Sequence, residues 1–301
     1  MAAKHTLLIT GGSGYLGRHL SARATDAFQV YTTYHRHPQQ VTAGQPLPLD
    51  LTQRDDVLRL IRTLSPQAII HTAAVNPGAG SEAEMMQVNV AGARNIAEAA
   101  MAVGARLIHL SSDVVHSGHH APYDDATLPT PLNGYACSKS TAEAAVTAVD
   151  VSAAMVRTSL IYGLDTLDHG TASFVARLQA GQPLILFSDV MRQPIWVESL
   201  VTALLTLVDL PWAGTLNIAG RQALSREDFG RRMLDWWGID TGELLQARRA
   251  ADISDTIPRD LRLTVTKAEH LLHMTFPGVD EVLAQAAAMG RSRGDGRHGS
   301  H

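Results

Sequence analysis

The sequence contains only one cysteine, Cys137, among its 301 residues. An intrachain disulfide and a cysteine-based zinc site are therefore excluded, which fits a reducing compartment. No apolar run approaches the roughly 18 residues that a membrane-spanning helix needs, and no basic and apolar leader precedes the first predicted strand. We therefore expect a cytoplasmic protein without a membrane partner.

An excess of charge of either sign is also missing. The net charge is -4 and the isoelectric point is near 6.4, so nothing in the composition favours binding to nucleic acid or to an anionic membrane. Apolar residues make up 45% and charged residues 18%, which is ordinary for a globular protein. A chain of this length can bury a large core, in one large domain or two modest ones.

Histidine, a common metal ligand, is frequent in the sequence, with 14 copies. The copies are scattered, and the densest groups lie in predicted loops without a matching set of carboxylates. We therefore predict no metal site. These groups are His35 with His37, and His116 with His119 and His120.

A glycine-rich turn follows the first predicted strand. The strand, Thr6 to Thr10, is short, apolar and rich in β-branched residues, and the segment "GGSGYLGRHLSARA" comes directly after it. Gly11, Gly14 and Gly17 are spaced by three residues, and Gly12, Gly14 and Gly17 fit the dinucleotide fingerprint. Such glycines let the backbone approach a diphosphate, which then faces the helix N-terminus. The segment predicts a dinucleotide site.

The end of the second predicted strand, Gln29 to Tyr34, indicates which dinucleotide binds. A site for NAD would place an acidic residue there to hold the ribose 2′-hydroxyl. The sequence instead continues "YHRHP", without an acidic residue between Asp26 and Asp50. Arg36 suits the 2′-phosphate of NADP(H), although a solvated basic loop would show the same pattern. We predict NADP(H) rather than NAD(H) as the cofactor.

Three further residue types suggest hydride-transfer chemistry. The apolar strand from Leu107 to Leu110 is followed by Ser112, and a later helix carries Tyr135 and Lys139. Residues four apart share one helix face, so the phenol and the ammonium can reach one point. A neighbouring cation lowers the pKa of a phenol, and we expect Lys139 to make Tyr135 a proton donor or acceptor near neutral pH.

Two polar residues elsewhere carry weaker signals. His71 ends the predicted strand Ala68 to His71, and it is either a buried core histidine or a residue of the functional site. Asn89 lies inside a predicted helix from Glu82 to Val103, where it is solvated, bonded to the backbone, or part of a proton relay. The third strand is expected to end at Asp50 and Leu51, with the next helix starting at Thr52 and Asp55 as a capping pair.

Strand and helix signals alternate through the first 160 or so residues, which favours βαβ units. The predicted fold is α/β, a Rossmann-type doubly wound parallel sheet with a smaller α/β C-terminal substrate-binding part. We assign 1–162 and 191–221 to the NADP-binding domain, and 163–190 and 222–290 to the substrate-binding part. The Gly-rich tail, 291–301, is expected to be disordered.

Several motifs together resemble an extended short-chain dehydrogenase/reductase, and among these the dTDP-4-dehydrorhamnose reductase subfamily. The resemblance covers most of the chain to about residue 285. The motifs are "TGGSGYLGRHL", "LDLTQRDDV", "PQAIIHTAAV", "VNVAGARNIAEAA", "LIHLSSDVVHSG", "PYDDATLPTPLNGYACSKSTAE", "VRTSLIYG" and "RDLRLTVTKAEHL".

The resemblance implies a role for each matching residue. The implied reaction is hydride transfer from NADPH to a nucleotide-linked 4-keto sugar, with a tyrosine as proton donor. The implied catalytic residues are Ser112, Tyr135, Lys139 and Asn89. The cofactor residues are Gly11, Gly14, Tyr15, Leu16, Gly17, Arg36, Asp50, Leu51, Ala73, Ala74, Tyr135 and Lys139. The substrate residues are Ser112, Asp113, Val114, Tyr135 and Arg192.

The sequence also departs from this subfamily, which keeps alternatives open. The subfamily usually has an aromatic residue where this chain has Val114, so we expect a roomier or less discriminating sugar site. A nucleotide-sugar epimerase or dehydratase is one alternative, although Asp113 is followed by Val114 rather than Glu. Another is a non-catalytic NADP-binding regulatory subunit, similar to the β subunit of methionine adenosyltransferase. A homodimer is also left open.

Overall fold

The computed structural model describes residues 4–290, and these contain thirteen strands and ten α-helices. The strands are β1 (Thr6–Thr10), β2 (Gln29–Tyr34), β3 (Gln45–Pro48), β4 (Ala68–His71), β5 (Arg106–Ser112), β6 (Ala154–Thr158), β7 (Ile161–Tyr162), β8 (Leu184–Phe187), β9 (Met191–Arg192), β10 (Ile195–Trp196), β11 (Gly214–Ile218), β12 (Leu224–Ser225) and β13 (Leu245–Arg248). The helices are α1 (Tyr15–Ala24), α2 (Arg54–Leu64), α3 (Glu82–Met85), α4 (Ala93–Val103), α5 (Gly134–Val149), α6 (His169–Gln179), α7 (Val197–Asp209), α8 (Arg226–Trp236), α9 (Thr266–Leu272) and α10 (Val279–Ala288).

Seven strands form a central parallel sheet in the order β11-β6-β5-β4-β1-β2-β3. The chain runs outward from β1 to β3 on one side and from β4 to β11 on the other. The direction of winding therefore reverses between β1 and β4, where a doubly wound sheet leaves a crevice at the carboxyl ends of its strands. The predicted Rossmann-type fold is confirmed.

The inner strands are apolar throughout because helices cover both faces of the sheet. Leu7 and Ile9 of β1 belong to a core beneath α1 and α7, whereas Leu8 belongs to a second core beneath α2 and α4. Alternate residues of one strand thus supply two cores. This packing holds the carboxyl ends of β1, β4 and β5 side by side.

The later part of the chain adds three two-stranded sheets. β8 pairs in parallel with β13, and side chains from α6, β8 and α8 form a small separate core. β9 pairs antiparallel with β12, which places Arg192 opposite Leu224. α9 instead packs against β11 of the central sheet. The short strand β9 thus carries Arg192, and its partner β12 runs directly into the start of α8.

Three local expectations differ from the structure. The third strand ends at Pro48, before Asp50. Thr52 does not cap α2, because its hydroxyl donates to Asp50 Oδ1 at 2.7 Å and the residue before α2 is Gln53. The predicted helix from Glu82 to Val103 is divided by a π-helical segment, Met86–Gly92. The Thr52–Asp50 hydrogen bond and the π-helical segment, which local sequence patterns do not reveal, thus account for two of these differences.

Within residues 4–290, the longest apolar helices are too short or too polar to cross a lipid bilayer. The tail expected to be disordered, 291–301, lies outside the described residues.

Gly17→Ala tests the contact between α1 and the turn before it. Alanine normally stabilises a helix by about 1 kcal/mol relative to glycine. Here the new Cβ would lie 2.1 Å from the Gly11 carbonyl oxygen, so we expect a loss of about 1–3 kcal/mol instead. Urea unfolding measures the free energy. Ala22→Gly on the exposed face of α1 is the control for propensity alone, and a stabilised Gly17→Ala variant would contradict the packing argument.

Candidate active site

A cleft of ≈700 Å³ lies at the carboxyl ends of β1, β4 and β5, where the winding of the sheet reverses. It is large enough for a dinucleotide and part of a second ligand. Most of the residues singled out in the sequence line it. They are Gly11, Gly14, Tyr15, Leu16, Gly17, Arg36, Asp50, Leu51, Ala73, Ala74, Ser112, Val114, Tyr135, Lys139 and Arg192.

The glycine turn forms one wall of the cleft. Gly11 has a φ of 75°, and a Cβ there would lie 2.9 Å from the Ala73 backbone. The Gly14 amide donates to the Gly11 carbonyl at 2.9 Å, and α1 begins directly afterwards without a side-chain cap. The uncapped amides at the start of α1 suit an anion, because the helix dipole favours negative charge there. The turn therefore fits a dinucleotide diphosphate.

The basic loop after β2 lies at one end of this cleft. Arg36 is mostly exposed, and its Nη2 donates to Glu84 Oε1 at 3.2 Å. His35 and His37 line the cleft beside it. Glu84 comes from α3, far along the chain, so sequence reasoning did not associate it with Arg36. The loop thus presents positive charge together with one acidic neighbour.

Asn89 lies behind the cleft rather than in its wall. Its Oδ1 accepts from the Val75 amide at 2.7 Å, and its Nδ2 donates to the Val75 carbonyl at 3.1 Å and to Ser138 Oγ at 3.0 Å. Asn89 sits in the π-helical segment, a type of irregularity that is frequent at functional sites. The side chain therefore ties the loop after β4 to α5, which carries the predicted catalytic pair.

Ser112, Tyr135 and Lys139 line the cleft together. Ser112 ends β5, and α5 starts at Gly134 after its cap Asn133, which accepts from the Ala136 amide at 3.0 Å. Burial, followed by the charge of Asp113, raises the pKa of Tyr135 to about 12. The expected lowering of this pKa by Lys139 is wrong. Tyr135 is therefore a protonated donor at neutral pH.

Lys139 is almost fully buried, and its ammonium donates to the Leu110 carbonyl at 2.7 Å. Burial lowers its pKa to about 8, against an opposing effect of Glu143. His71 and His109 lie beneath it with ring centroids 5.1 Å apart, and burial also lowers the pKa of His71, to about 3. Both histidines are thus neutral core residues, and Lys139 is the titratable cation of this cluster.

Asp113 does not line the cleft, contrary to the expected substrate contact. It is fully buried, and its two carboxylate oxygens accept from Nε and Nη2 of Arg192 at 2.7 and 2.6 Å. A bidentate pair of this kind fixes the plane of the carboxylate and the plane of the guanidinium relative to each other. Asp113 therefore orients Arg192, whose remaining surface faces the cleft, instead of contacting a ligand itself.

Arg226 is the main residue of the cleft that sequence reasoning missed. It is the first residue of α8 and lines the cleft near Arg192. A lone arginine after a capping serine gives no local signal of a site.

Among the described residues, no group of three or more His, Cys, Asp or Glu side chains could hold a metal ion.

Lys139→Met tests the burial of this ammonium through pH. Its folded pKa, about 8, lies below the ordinary value of 10.5, so the folded protein loses this proton first as the pH rises. The wild type should gain up to about 1.4 kcal/mol of stability per pH unit relative to the variant between pH 8 and 10. Urea unfolding at a series of pH values measures this. The control is Lys4→Met at an exposed lysine, and equal slopes for wild type and Lys139→Met would refute the assignment.

Comparison with known proteins places the chain in a family. The family model described as RmlD substrate binding domain matches residues 5–290. A dTDP-4-dehydrorhamnose reductase of Mycobacterium tuberculosis is 32% identical over 244 residues, which are 78% of this chain and 76% of the relative. The methionine adenosyltransferase 2 subunit beta of Pongo abelii is 26% identical over 88% of this chain and 82% of its own.

Solved structures agree on the fold. The crystal structure of dTDP-4-dehydrorhamnose reductase from Bacillus anthracis in complex with NADP has a TM-score of 0.79 at 22% identity, covering 95% of this chain and 99% of that one. The resemblance identified from the sequence motifs is confirmed. The family model covers nearly all of the described residues, and the chain therefore belongs to the RmlD substrate binding domain family.

Proposed function

We propose that the protein is an NADPH-dependent reductase of a nucleotide-linked 4-keto sugar, similar to dTDP-4-dehydrorhamnose reductase. The observation that carries this proposal is that Ser112, Tyr135 and Lys139 line one cleft together with the glycine turn. The 32% identity to a dTDP-4-dehydrorhamnose reductase supports it. So does the likeness of the fold to that of a reductase bound to NADP.

The cofactor fits the cleft in two places. The Gly11–Gly17 turn and the uncapped start of α1 would hold its diphosphate, and Arg36 would hold the 2′-phosphate. When bound, NADPH supplies the hydride. Lys139 would bind the nicotinamide ribose once its ammonium turns from the Leu110 carbonyl, which it contacts here.

The protein's own part in the reaction is to hold the ketone and deliver a proton. Ser112 Oγ can donate a hydrogen bond to the substrate carbonyl, and Tyr135 can protonate the same oxygen as it becomes an alkoxide. A phenol with a pKa of about 12 stays protonated at neutral pH, which suits a proton donor better than a proton acceptor. The protonation state of Tyr135 is therefore compatible with reduction.

The alternatives are less well supported. A dehydratase needs an acid and a base beside the catalytic hydroxyl, but Asp113 is buried in its ion pair with Arg192, and Val114 follows it. A regulatory subunit needs no complete catalytic set, whereas Ser112, Tyr135 and Lys139 all face the cleft. The relative of that type is also less identical to this chain than the reductase is.

Some properties stay predictions. They are the cytoplasmic location, a homodimer, and a roomier sugar site at Val114, which lines the cleft beside Ser112. We also propose the division into a cofactor domain, 1–162 and 191–221, and a substrate-binding part, 163–190 and 222–290. The separate core between α6, β8 and α8 supports this division, while the packing of α9 on β11 joins the two parts.

Tyr135→Phe tests the assignment of the proton donor. The ring still packs, but the hydroxyl that protonates the substrate oxygen is removed, so kcat should fall by about 10²–10⁴-fold. NADPH affinity and melting temperature should stay close to wild type. The assay follows NADPH absorbance with dTDP-4-dehydrorhamnose. Tyr31→Phe, outside the cleft, is the control, and normal turnover in Tyr135→Phe would exclude this mechanism.

Arg36 and Glu84 together test the preference for NADPH. Arg36→Ala should weaken NADPH binding by about 10–100-fold and leave NADH binding unchanged, because a charged hydrogen bond to the 2′-phosphate is lost. Glu84→Gln should strengthen NADPH binding by about 1.5–5-fold, because Arg36 is released from an exposed ion pair.

Dissociation constants for both cofactors, measured by fluorescence titration, separate these effects. Arg62→Ala at an exposed position of α2 is the control. An Arg36→Ala variant that keeps the wild-type preference would show that the basic loop is only a solvated segment.

A further inference from the structure

Arg226 has no acceptor for its guanidinium. Within residues 4–290, no side chain or carbonyl accepts a hydrogen bond from it, and no carboxylate forms an ion pair with it. The two comparable arginines differ in this respect. Arg157 is buried and donates to Glu143 and to the Thr127 carbonyl, and Arg192 is buried and paired with Asp113. Arg226 is therefore a cation whose polar partner the fold does not supply.

Arg226 is nevertheless held firmly by its backbone. Its amide donates to the Val190 carbonyl at 2.9 Å, and the preceding Ser225 pairs with Met191 across the β9–β12 ladder. Ser225 also caps α8 by accepting from the Asp228 amide at 2.9 Å. Arg192 follows Met191 in β9, and its guanidinium is bound by Asp113 at the end of β5. These contacts fix the backbone of Arg226 relative to the end of β5.

Two cavities meet at this side chain. Arg226, Arg192 and Val114 line both the catalytic cleft and a smaller neighbouring cavity of ≈160 Å³. Apart from the two arginines, this smaller cavity is lined only by apolar side chains, from the turn after β5, from β8 and the loop that follows it, and from the segment after β13. They are Val114, Ile185, Leu186, Phe187, Val190, Ile257, Pro258 and Leu261.

The local charges favour an anion at the junction. Burial, and then the charge of Arg192, lowers the pKa of Arg226 to about 10, with Asp113 and Asp168 opposing. The two carboxylates are engaged elsewhere, since Asp113 binds Arg192 and Asp168 accepts from the amides of Gly170 and Thr171. An arriving phosphate would therefore gain a guanidinium that no protein acceptor occupies.

We propose that Arg226 is a specificity-determining residue that binds the diphosphate of a nucleotide-linked substrate, while the base enters the smaller apolar cavity. This rests on the proposed function. The ketone would face Ser112 and Tyr135 on the cleft side of the diphosphate. An arginine matches the paired oxygens of a phosphate with two donors, which a lysine does not. Substrates without a phosphate at this position would lose that contact.

The test uses the enzyme saturated with NADP, so that the glycine turn is already filled. Calorimetric titration with dTDP, UDP, inorganic pyrophosphate and thymidine compares wild type with Arg226→Met and Arg226→Lys. Removing two charged hydrogen bonds should weaken dTDP and UDP binding by on the order of 10²-fold in Arg226→Met. Arg226→Lys should recover part of this, and thymidine affinity should not change. Arg231→Met, at an exposed position of the same helix, is the matched control.

Stability separates a binding role from a structural one. A structural arginine destabilises the fold when it is removed, whereas Arg226→Met should leave the melting temperature unchanged or raise it, because an unpaired, partly buried cation is replaced by an apolar side chain. Equal dTDP affinity in wild type and Arg226→Met, or no dTDP binding by wild type, would overturn the proposal. A lower melting temperature in Arg226→Met would also count against it.

The same variants distinguish this proposal from the proposed function. If wild type oxidises NADPH with a nucleotide-linked keto sugar but Arg226→Met has an unchanged KM, only the role of Arg226 is wrong. If wild type turns over no keto sugar, yet dTDP binding still depends on Arg226, the anion site stands and the reductase function fails.

Discussion

The bidentate ion pair between Asp113 and Arg192 is the contact on which the arrangement of the site depends. Asp113 follows the last residue of β5, so its position is tied to that of Ser112, the proposed catalytic serine. Arg192 belongs to β9, whose partner strand β12 leads into α8. One buried pair therefore links the end of β5 to the β9–β12 sheet, from which α8 begins. Breaking such a pair usually costs about 3–5 kcal/mol, because the remaining charge stays buried.

Features that depend on neighbours in the sequence could be predicted, and features that depend on distant segments could not. The strand, glycine turn and helix from Thr6 to Ala24, and the Tyr135–Lys139 spacing on α5, follow from local patterns. The Arg36–Glu84 contact joins residues 48 apart. The withdrawal of Asp113 from the cleft depends on Arg192, 79 residues away. Spacing along one chain carries no information about such pairs.

The pKa of Tyr135 differs from the sequence-based expectation for a definite physical reason. Helical spacing indicates that the Lys139 cation can act on Tyr135, but it does not indicate that both groups are buried. Burial disfavours the charged form of each, and so it raises the pKa of Tyr135 and lowers that of Lys139. Helical spacing shows that two side chains share a face. It does not show which of them water still reaches.

The three partly or fully buried arginines near the cleft illustrate how a fold distributes charge between structure and binding. Arg157 has its acceptors within the protein and serves the core, while Arg192 is oriented by a carboxylate that is itself hidden from the cleft. Arg226 is held through its backbone and lines the cleft, and within residues 4–290 its guanidinium has no acceptor. An unpaired cation costs stability, and a protein above its stability threshold can keep it where binding gains from it. On the proposed assignment, the acceptor for the Arg226 guanidinium is the diphosphate of the substrate.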